Sequence, residues 1–145
     1  MGRIVDGFEI HISSDPKYAK VVRCGVGHIC ELCGFPAKTG RAIVLAVDEA
    51  VTNIIRHAYS SDHRQKLTVQ CSILDDRLEI VLQDSGTAAD IETMKSRDLT
   101  KVRPGGLGMH FINTTMDIVD YQSNGTAGNQ LTLTKYLPKD RDTDA

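Results

Sequence analysis

The pattern of apolar and polar residues along the chain predicts five β-strands. Residues 8–13 and 130–137 alternate apolar and polar side chains with a period of two, which is typical of strands with one buried face. Residues 66–73 and 77–83 are rich in Val, Ile and Leu, and the Leu74-Asp75-Asp76 sequence between them is typical of a hairpin turn. Residues 118–122 are also strand-like, and a turn at 123–125 leads into the last strand.

Apolar residues recur at helical spacing in two segments between the first and second strands. Asp15 and Pro16 favour the start of a first helix, and Gly34 favours its end. Its apolar positions are Tyr18, Val21, Val22, Val26, Ile29 and Leu32. A second helix is predicted from Pro36 to near residue 60, with an apolar stripe formed by Ile43, Val47, Ala50, Ile54 and Ala58. Residues 108–116 predict a third helix.

This order of elements predicts an α+β fold. The strands follow one another as hairpins and the helices are gathered elsewhere, which favours a two-layer sandwich with the helices on one face of the sheet. The 145 residues suit one domain, residues 1–145, with a core at about 8–138. Residues 84–106 contain few large apolar side chains, and a loop of that length within a compact domain is commonly functional.

Composition and charge argue against several classes of protein. Basic and acidic residues are interspersed and the net charge is -2, so we expect no nucleic-acid binding. No apolar run approaches the length of a bilayer crossing, and the first residues lack the apolar core of a secretion signal, so we expect a cytoplasmic protein without membrane contact. The four cysteines, Cys24, Cys30, Cys33 and Cys71, lack the second close pair of a zinc site and are expected to be reduced, mostly buried thiols.

Four polar residues on the second helix suggest a metal and phosphate site. Glu49 and Asn53 are four residues apart, and Arg56 and His57 follow one turn later, so the side chains are expected to project from neighbouring positions. A carboxylate and an amide oxygen suit Mg²⁺ that is shared with phosphate oxygens. The same spacing is also common on a solvated helix face, and spacing alone leaves both interpretations open.

Two glycine-containing segments are further candidates for ligand contact. Asp84 and Gly86 end a strand, where they form either a ligand contact or an ordinary turn. The sequence Gly105-Gly106-Leu107-Gly108 opens an apolar helix, and the free N–H groups and dipole of a helix start favour phosphate. It matches neither the dinucleotide fingerprint nor the P-loop, and a purely structural helix start is the alternative.

Together these segments resemble the ATPase superfamily of gyrase, a heat-shock chaperone, histidine kinases and a mismatch-repair ATPase. Residues 48–59 look like its N box, residues 84–86 like its first glycine box and residues 105–108 like its second. The form Glu-Ala-x-x-Asn-x-x-x-His-Ala-Tyr, the chain length and the closing Leu-Thr-Leu-Thr-Lys-Tyr-Leu are most similar to the anti-sigma factor serine/threonine kinases. The resemblance spans about residues 8–138.

The resemblance implies a fold of the Bergerat type, with a mixed, mostly antiparallel sheet, and it implies roles in ATP binding. Asn53 would hold Mg²⁺ against the triphosphate, Asp84 would accept a hydrogen bond from the adenine amino group, and Gly86 would let the adenine approach. Glu49 would be the general base that takes the proton of the attacking hydroxyl. The full nucleotide-binding set implied is Asn53, Arg56, His57, Asp84, Gly86, Arg103, Gly105, Gly106, Leu107, Gly108 and Asn129.

The partners that the resemblance implies are an anti-anti-sigma protein of the STAS type, as the phosphorylated substrate, a sigma factor, and a second copy in a homodimer. One alternative is a nucleotide-gated or nucleotide-independent binding regulator without kinase activity. It is favoured by Ala88, where the family usually has a second glycine, and by Asn129, where it usually has Thr. The other alternative is an isolated histidine-kinase catalytic domain, but His28 lies on the predicted first helix and no helical hairpin precedes it.

Overall fold

A five-stranded sheet forms one layer of the protein. The computed structural model describes residues 6–87, 106–124 and 127–139. The strands are β1 (Gly7–Ser13), β2 (Lys66–Ile73), β3 (Arg77–Asp84), β4 (Ile118–Ser123) and β5 (Asn129–Tyr136). Their order in the sheet is β1-β2-β3-β5-β4, and all four pairings are antiparallel.

The expectation of a mixed sheet is therefore corrected for the described strands. Two of the four pairings, β2 with β3 and β4 with β5, join strands that follow each other after short turns, and such connections give antiparallel neighbours. The predicted α+β class is confirmed, and the predicted strand bounds differ from the observed ones by at most one residue at either end.

Helix α1 (Ala19–Cys33) starts later than the sequence predicts because a 3-10 turn precedes it. In that turn, Pro16–Tyr18, the Asp15 carboxylate accepts the Lys17 backbone N–H at 3.0 Å. The helix ends at Gly34, whose φ of 81° is left-handed and whose N–H bonds back to carbonyls of the last turn. The predicted glycine stop is thus confirmed.

Helix α2 (Ala37–Asn53) continues into a single π-helical turn, Ile54–Ala58, which the sequence pattern did not predict. The backbone N–H of Tyr59 bonds to the carbonyl of Ile54 at 3.0 Å, five residues back rather than four. Helix α3 (Gly106–Thr115) begins two residues before the predicted start. None of the helices in the described part of the chain combines the length and the apolar character that a bilayer crossing requires.

The hydrophobic core lies between the three helices and one face of the sheet. Side chains along β3 alternate between that face and the opposite one, so that Leu78, Ile80 and Leu82 are all fully buried. The helices contribute Val22, Val26, Ile29, Ile43, Val47 and Ile112. Three apolar positions of the predicted first helix face solvent instead: Tyr18 is 39% exposed, Val21 49% and Leu32 60%.

The cysteines behave largely as the sequence predicts. Cys30, Cys33 and Cys71 are buried, Cys24 is exposed, and none of the four forms a disulfide within the described part of the chain. Burial in the core raises the pKa of Cys30 and of Cys71 to about 12, so both thiols stay protonated at neutral pH. Thiols of this kind pack as small apolar groups and are poor nucleophiles.

Candidate functional site

Helix α2 carries two neighbouring carboxylates in different environments. The Asp48 carboxylate accepts a hydrogen bond from the Arg23 guanidinium of α1 at 3.0 Å, which ties the two helices together. Glu49 is half-buried, and no hydrogen bond or ion pair to its carboxylate occurs within the described residues. As far as the described residues show, the Glu49 carboxylate is therefore available to an incoming group, whereas Asp48 is engaged by Arg23.

The side-chain amide of Asn53, one turn after Glu49, is buried and has no hydrogen-bond partner among the residues that the structure describes. Both Nδ2 and Oδ1 lack a hydrogen bond among the described residues. A buried amide left unpaired in this way costs free energy, and such groups in native proteins are commonly explained by an ion or ligand. No group of three or more His, Cys, Asp or Glu side chains in the described ranges is arranged to hold a metal ion. An amide oxygen that acts alongside phosphate oxygens and water is the donor set that Mg²⁺ accepts.

Arg56 and His57 lie in the π turn that follows Asn53, and both are exposed. The widened turn departs from the 3.6-residue spacing of an α-helix, so the extrapolated row of side chains does not extend past Asn53. Their predicted contact with nucleotide stays a prediction.

A second polar cluster forms where β3 ends, and it brings together three of the predicted nucleotide-binding residues, Asp84, Gly86 and Asn129. Oδ1 of Asp84 accepts the backbone N–H of Gly86 at 2.9 Å and the side-chain amide of Asn129 at 2.8 Å. Asn129 also donates to the Gly86 carbonyl at 3.0 Å and accepts the Ser123 hydroxyl at 2.9 Å. Asp84 is 9% exposed and Asn129 3%. Ser123 was not predicted, because its contact depends on the register of β4 and β5.

The structure gives a reason for Gly86 that does not involve a ligand. A Cβ atom at this position would lie 2.3 Å from the carbonyl oxygen of Ala58, in the π turn. Gly128 is required for a related reason, since its φ is +103° and an added Cβ would lie 2.6 Å from the carbonyl oxygen of Asp84. Whether Gly86 also gives adenine room to approach stays a prediction.

The segment after Asp84 is held against the end of the π turn, beside an open cleft. The backbone N–H of Thr87 donates to the Ala58 carbonyl at 2.8 Å. The cleft has a volume of about 520 Å³ and is lined by Ala58, Tyr59, Ser60, Gln65, Ser85, Gly86 and Thr87. Tyr59 lines this cleft, and the sequence alone predicts no role for it.

The described part of the glycine-rich segment, residues 106–108, forms the first turn of α3. Gly106 is the first residue of the helix, and Leu107 and Gly108 follow within the same turn, where backbone N–H groups have no helical acceptor. Helix α3 packs against α2, which carries Glu49 and Asn53. The predicted contacts of Arg103 and Gly105, and the departure at Ala88, lie outside the described residues. A helix start with free amides favours an anionic group such as phosphate.

The fold and the polar clusters define a class of protein. The profile described as histidine kinase-like ATPase domain matches residues 12–135, and the chain therefore belongs to the histidine kinase-like ATPase family. The histidine kinase AdeS of Acinetobacter baumannii is similar in structure, with a TM-score of 0.51 and 19% identity over 69% of this chain. The match covers 48% of that kinase, so it supports the fold alone.

Curated relatives of similar length give a narrower comparison. The chain is 32% identical to the serine-protein kinase RsbW of Bacillus velezensis, over 97% of this chain and 92% of the relative. It is 31% identical to the protein of that name from Listeria monocytogenes, over 94% and 91%. The Bacillus subtilis protein is 29% identical, over 94% and 89%.

Proposed function

We propose that this protein is an ATP-dependent serine/threonine kinase that acts as an anti-sigma factor. It phosphorylates an anti-anti-sigma protein of the STAS type, and it binds a sigma factor in alternation with that substrate. The observation that carries the proposal is the buried amide of Asn53, one helical turn from the Glu49 carboxylate, since neither group has a hydrogen-bond partner in the described ranges of the chain. The similarity to serine-protein kinases over nearly the whole chain supports the same activity.

The residues present fit ATP and Mg²⁺. Asn53 would supply an amide oxygen to the metal, and the first turn of α3 would bind phosphate oxygens through its free N–H groups. The Asp84 carboxylate would accept a hydrogen bond from the adenine amino group. Bound Mg²⁺ offsets the phosphate charge and orients the terminal phosphoryl group.

Glu49 is the proposed general base. Its carboxylate takes the proton of the substrate hydroxyl as that oxygen forms a bond to the γ-phosphorus and the bond to the β–γ bridging oxygen breaks. The bridging oxygen leaves with the bonding electrons as part of ADP. The products are a phosphorylated side chain and ADP, and the proton passes from Glu49 to solvent.

Phosphate transfer to a purified partner tests this proposal. The protein is incubated with γ-labelled ATP and its cognate STAS protein, and label on the partner is measured. Glu49→Gln is expected to lower the transfer rate by about 10²–10⁴-fold with ADP affinity retained. Asp48→Asn is the matched control, since that carboxylate is engaged by Arg23, and it should transfer at the wild-type rate. Absence of label with the wild-type protein would refute the kinase.

A binding regulator without kinase activity is the second candidate. One observation favours it: Oδ1 of Asp84, the proposed adenine acceptor, already accepts hydrogen bonds from Gly86 and Asn129. This candidate predicts that the unlabelled STAS partner binds the protein in a nucleotide-dependent or nucleotide-independent complex. Partner binding in a calorimetric titration, together with no phosphate transfer in the labelling assay, distinguishes it from the kinase.

The proposed protein is cytoplasmic and forms a homodimer. The β1 edge of the sheet supports the homodimer, because it could pair with a second copy. Strand β1 pairs only with β2 among the described strands. If β1 paired with a second copy of itself, antiparallel and centred on Ile10, Glu9 would lie opposite the His11 of the other copy, and Phe8 opposite Ile12. Light scattering should find a dimer that His11→Glu weakens and that the exchange Glu9→His with His11→Glu restores. A monomeric wild-type protein would exclude the homodimer.

A further inference from the structure

The hydroxyl of Tyr59 joins three separate segments at the end of the π turn. It donates to the carbonyl of Lys66, at the start of β2, at 2.6 Å, and it accepts the backbone N–H of Ser85, directly after β3, at 2.7 Å. The residue is 7% exposed. A buried hydroxyl that is both donor and acceptor at these distances constrains the relative position of all three segments.

The surroundings of Tyr59 make this junction stiff. Burial raises the pKa of the Tyr59 hydroxyl, so it stays protonated and remains a donor to Lys66 throughout the neutral range. The backbone N–H of Thr87, two residues after Ser85, donates to the carbonyl of Ala58. The lack of a side chain at Gly86 lets this segment come close to the backbone of the π turn. Tyr59 itself is held in place by its N–H bond to Ile54 across the widened turn.

The junction connects the two halves of the nucleotide site. Asn53 and Glu49 lie on the helix that runs directly into the π turn, whereas Asp84 immediately precedes Ser85. A nucleotide that contacts both halves is sensitive to their relative position, and a displacement of about 1 Å is enough to lower catalysis about 10²-fold. Without the Tyr59 hydroxyl, the Ser85 N–H and the Lys66 carbonyl would both lose a partner.

We propose that Tyr59 is a positioning residue, whose hydroxyl sets the place of the base-binding turn, Asp84–Gly86, relative to the helix that carries Glu49 and Asn53. This inference rests on the proposed function, because it needs a nucleotide that contacts both halves. A Tyr retained only for packing would be equally well served by Phe. The inference therefore depends on the hydroxyl rather than on the ring.

Tyr59→Phe removes the hydroxyl and keeps the ring. Affinities for Mg-ATP and for adenosine, which lacks the phosphates, are measured by calorimetry well below the unfolding temperature. We expect the affinity for Mg-ATP to fall about tenfold or more, and that for adenosine to fall by a clearly smaller factor. Tyr136→Phe is the matched control, because Tyr136 is 48% exposed at the end of β5, and it should bind as the wild type does.

Hydrogen exchange gives a readout that needs no ligand. In the nucleotide-free protein, Tyr59→Phe should raise the exchange rate of the Ser85 amide by about tenfold or more, and Tyr136→Phe should leave it unchanged. Should Tyr59→Phe not fold, Thr87→Pro removes the bond to Ala58 in the same junction from an exposed position, and it is expected to give the same selective loss of Mg-ATP affinity.

The outcomes separate this inference from the function on which it rests. If the wild type binds Mg-ATP and Tyr59→Phe binds it equally well, the positioning role is refuted and the proposed function stands. Equal losses for Mg-ATP and adenosine also refute it, because they confine the effect to the base pocket. If the wild type does not bind Mg-ATP, the proposed function fails and the inference fails with it.

Discussion

The side-chain amide nitrogen of Asn129 lies 2.8 Å from Oδ1 of Asp84. The two residues are directly opposite each other in the register of β3 and β5, although 45 positions separate them in the chain. The contact is nearly excluded from water, and a hydrogen bond to a carboxylate in such a place is among the stronger ones in proteins. Asn129 therefore orients the carboxylate that is proposed to recognise the base.

Replacement of Asn129 tests this orientation. Asn129→Ala is expected to lower the free energy of unfolding by about 1–3 kcal/mol and the affinity for Mg-ATP about tenfold, because Asp84 and Gly86 lose a shared donor. Asn129→Thr restores a donor and should recover most of the affinity. Gln122→Ala, at an exposed position of β4, is the control for urea unfolding and calorimetry. Unchanged affinity in Asn129→Ala would contradict the assigned role.

Gly86→Ala is expected to destabilise the nucleotide-free protein by about 1–3 kcal/mol or more, since the added methyl group would overlap the Ala58 carbonyl and force the backbone apart. Gly40→Ala, within α2, is the matched control, because its Cβ would lie 3.5 Å from the Cβ of Cys30 on α1, which is an ordinary contact distance. The free energy of unfolding of that variant should rise by up to about 1 kcal/mol, because Ala has a higher helix propensity than Gly. Urea unfolding of both variants checks the contrast, and an equal effect at the two sites would show that the Ala58 contact is unimportant.

Most of the fold follows from periodicity, and most of the site detail does not. The strands and helices were predictable because each has a strong period of two or of 3.6 residues and a clear stop, as Gly34 illustrates. The π turn after Asn53 was not, because a hydrogen bond displaced by one residue leaves no mark on the pattern of apolar residues. The sequence likewise identified Gly86 as special without identifying Ala58 as its neighbour.

The contacts that the sequence could not predict are those between distant segments. Asn129 stands where the family usually has Thr, and this marks it as a candidate, but its bonds to Asp84, Gly86 and Ser123 depend on strand register. Tyr59 ends the segment that resembles the N box, and that resemblance alone predicts no role for it. The role proposed for it depends on the hydrogen bonds of its hydroxyl with Lys66 of β2 and with Ser85 after β3. No local sequence pattern predicts contacts between segments so far apart in the chain.

The buried thiols predict a loss of stability in alkaline solution. The pKa of Cys30 and of Cys71 is raised to about 12 by burial, so the folded state holds these protons while the unfolded chain releases them above a pH of about 9. Their stabilisation is complete below that pH and is lost as the pH rises towards 12. Each thiol contributes a slope of up to about 1.4 kcal/mol per pH unit in that window.

The slope is measured by urea unfolding between about pH 7 and 10.5. The free energy of unfolding of Cys71→Ala should decline less steeply with pH than that of the wild type. This variant lacks one of the thiols that stay protonated in the folded state. Cys24→Ala changes an exposed cysteine and should follow the wild-type curve. Comparison with this control removes the contribution of titratable groups that all three proteins share. Parallel curves for Cys71→Ala and the wild type would contradict the prediction.

Asn53 is expected to lower the free energy of unfolding and, at the same time, to make the affinity for ATP depend on Mg²⁺. Its amide makes no hydrogen bond among the described residues, so Asn53→Ala removes two unpaired buried atoms and is expected to leave the free energy of unfolding unchanged or raise it by about 1 kcal/mol. Asn129→Ala, which removes a paired buried amide, should have the opposite effect. The affinity for ATP, measured with Mg²⁺ and with a chelator, should differ at least tenfold in the wild type and little in Asn53→Ala. A variant that keeps the full metal dependence would show that Asn53 is not the residue through which Mg²⁺ acts.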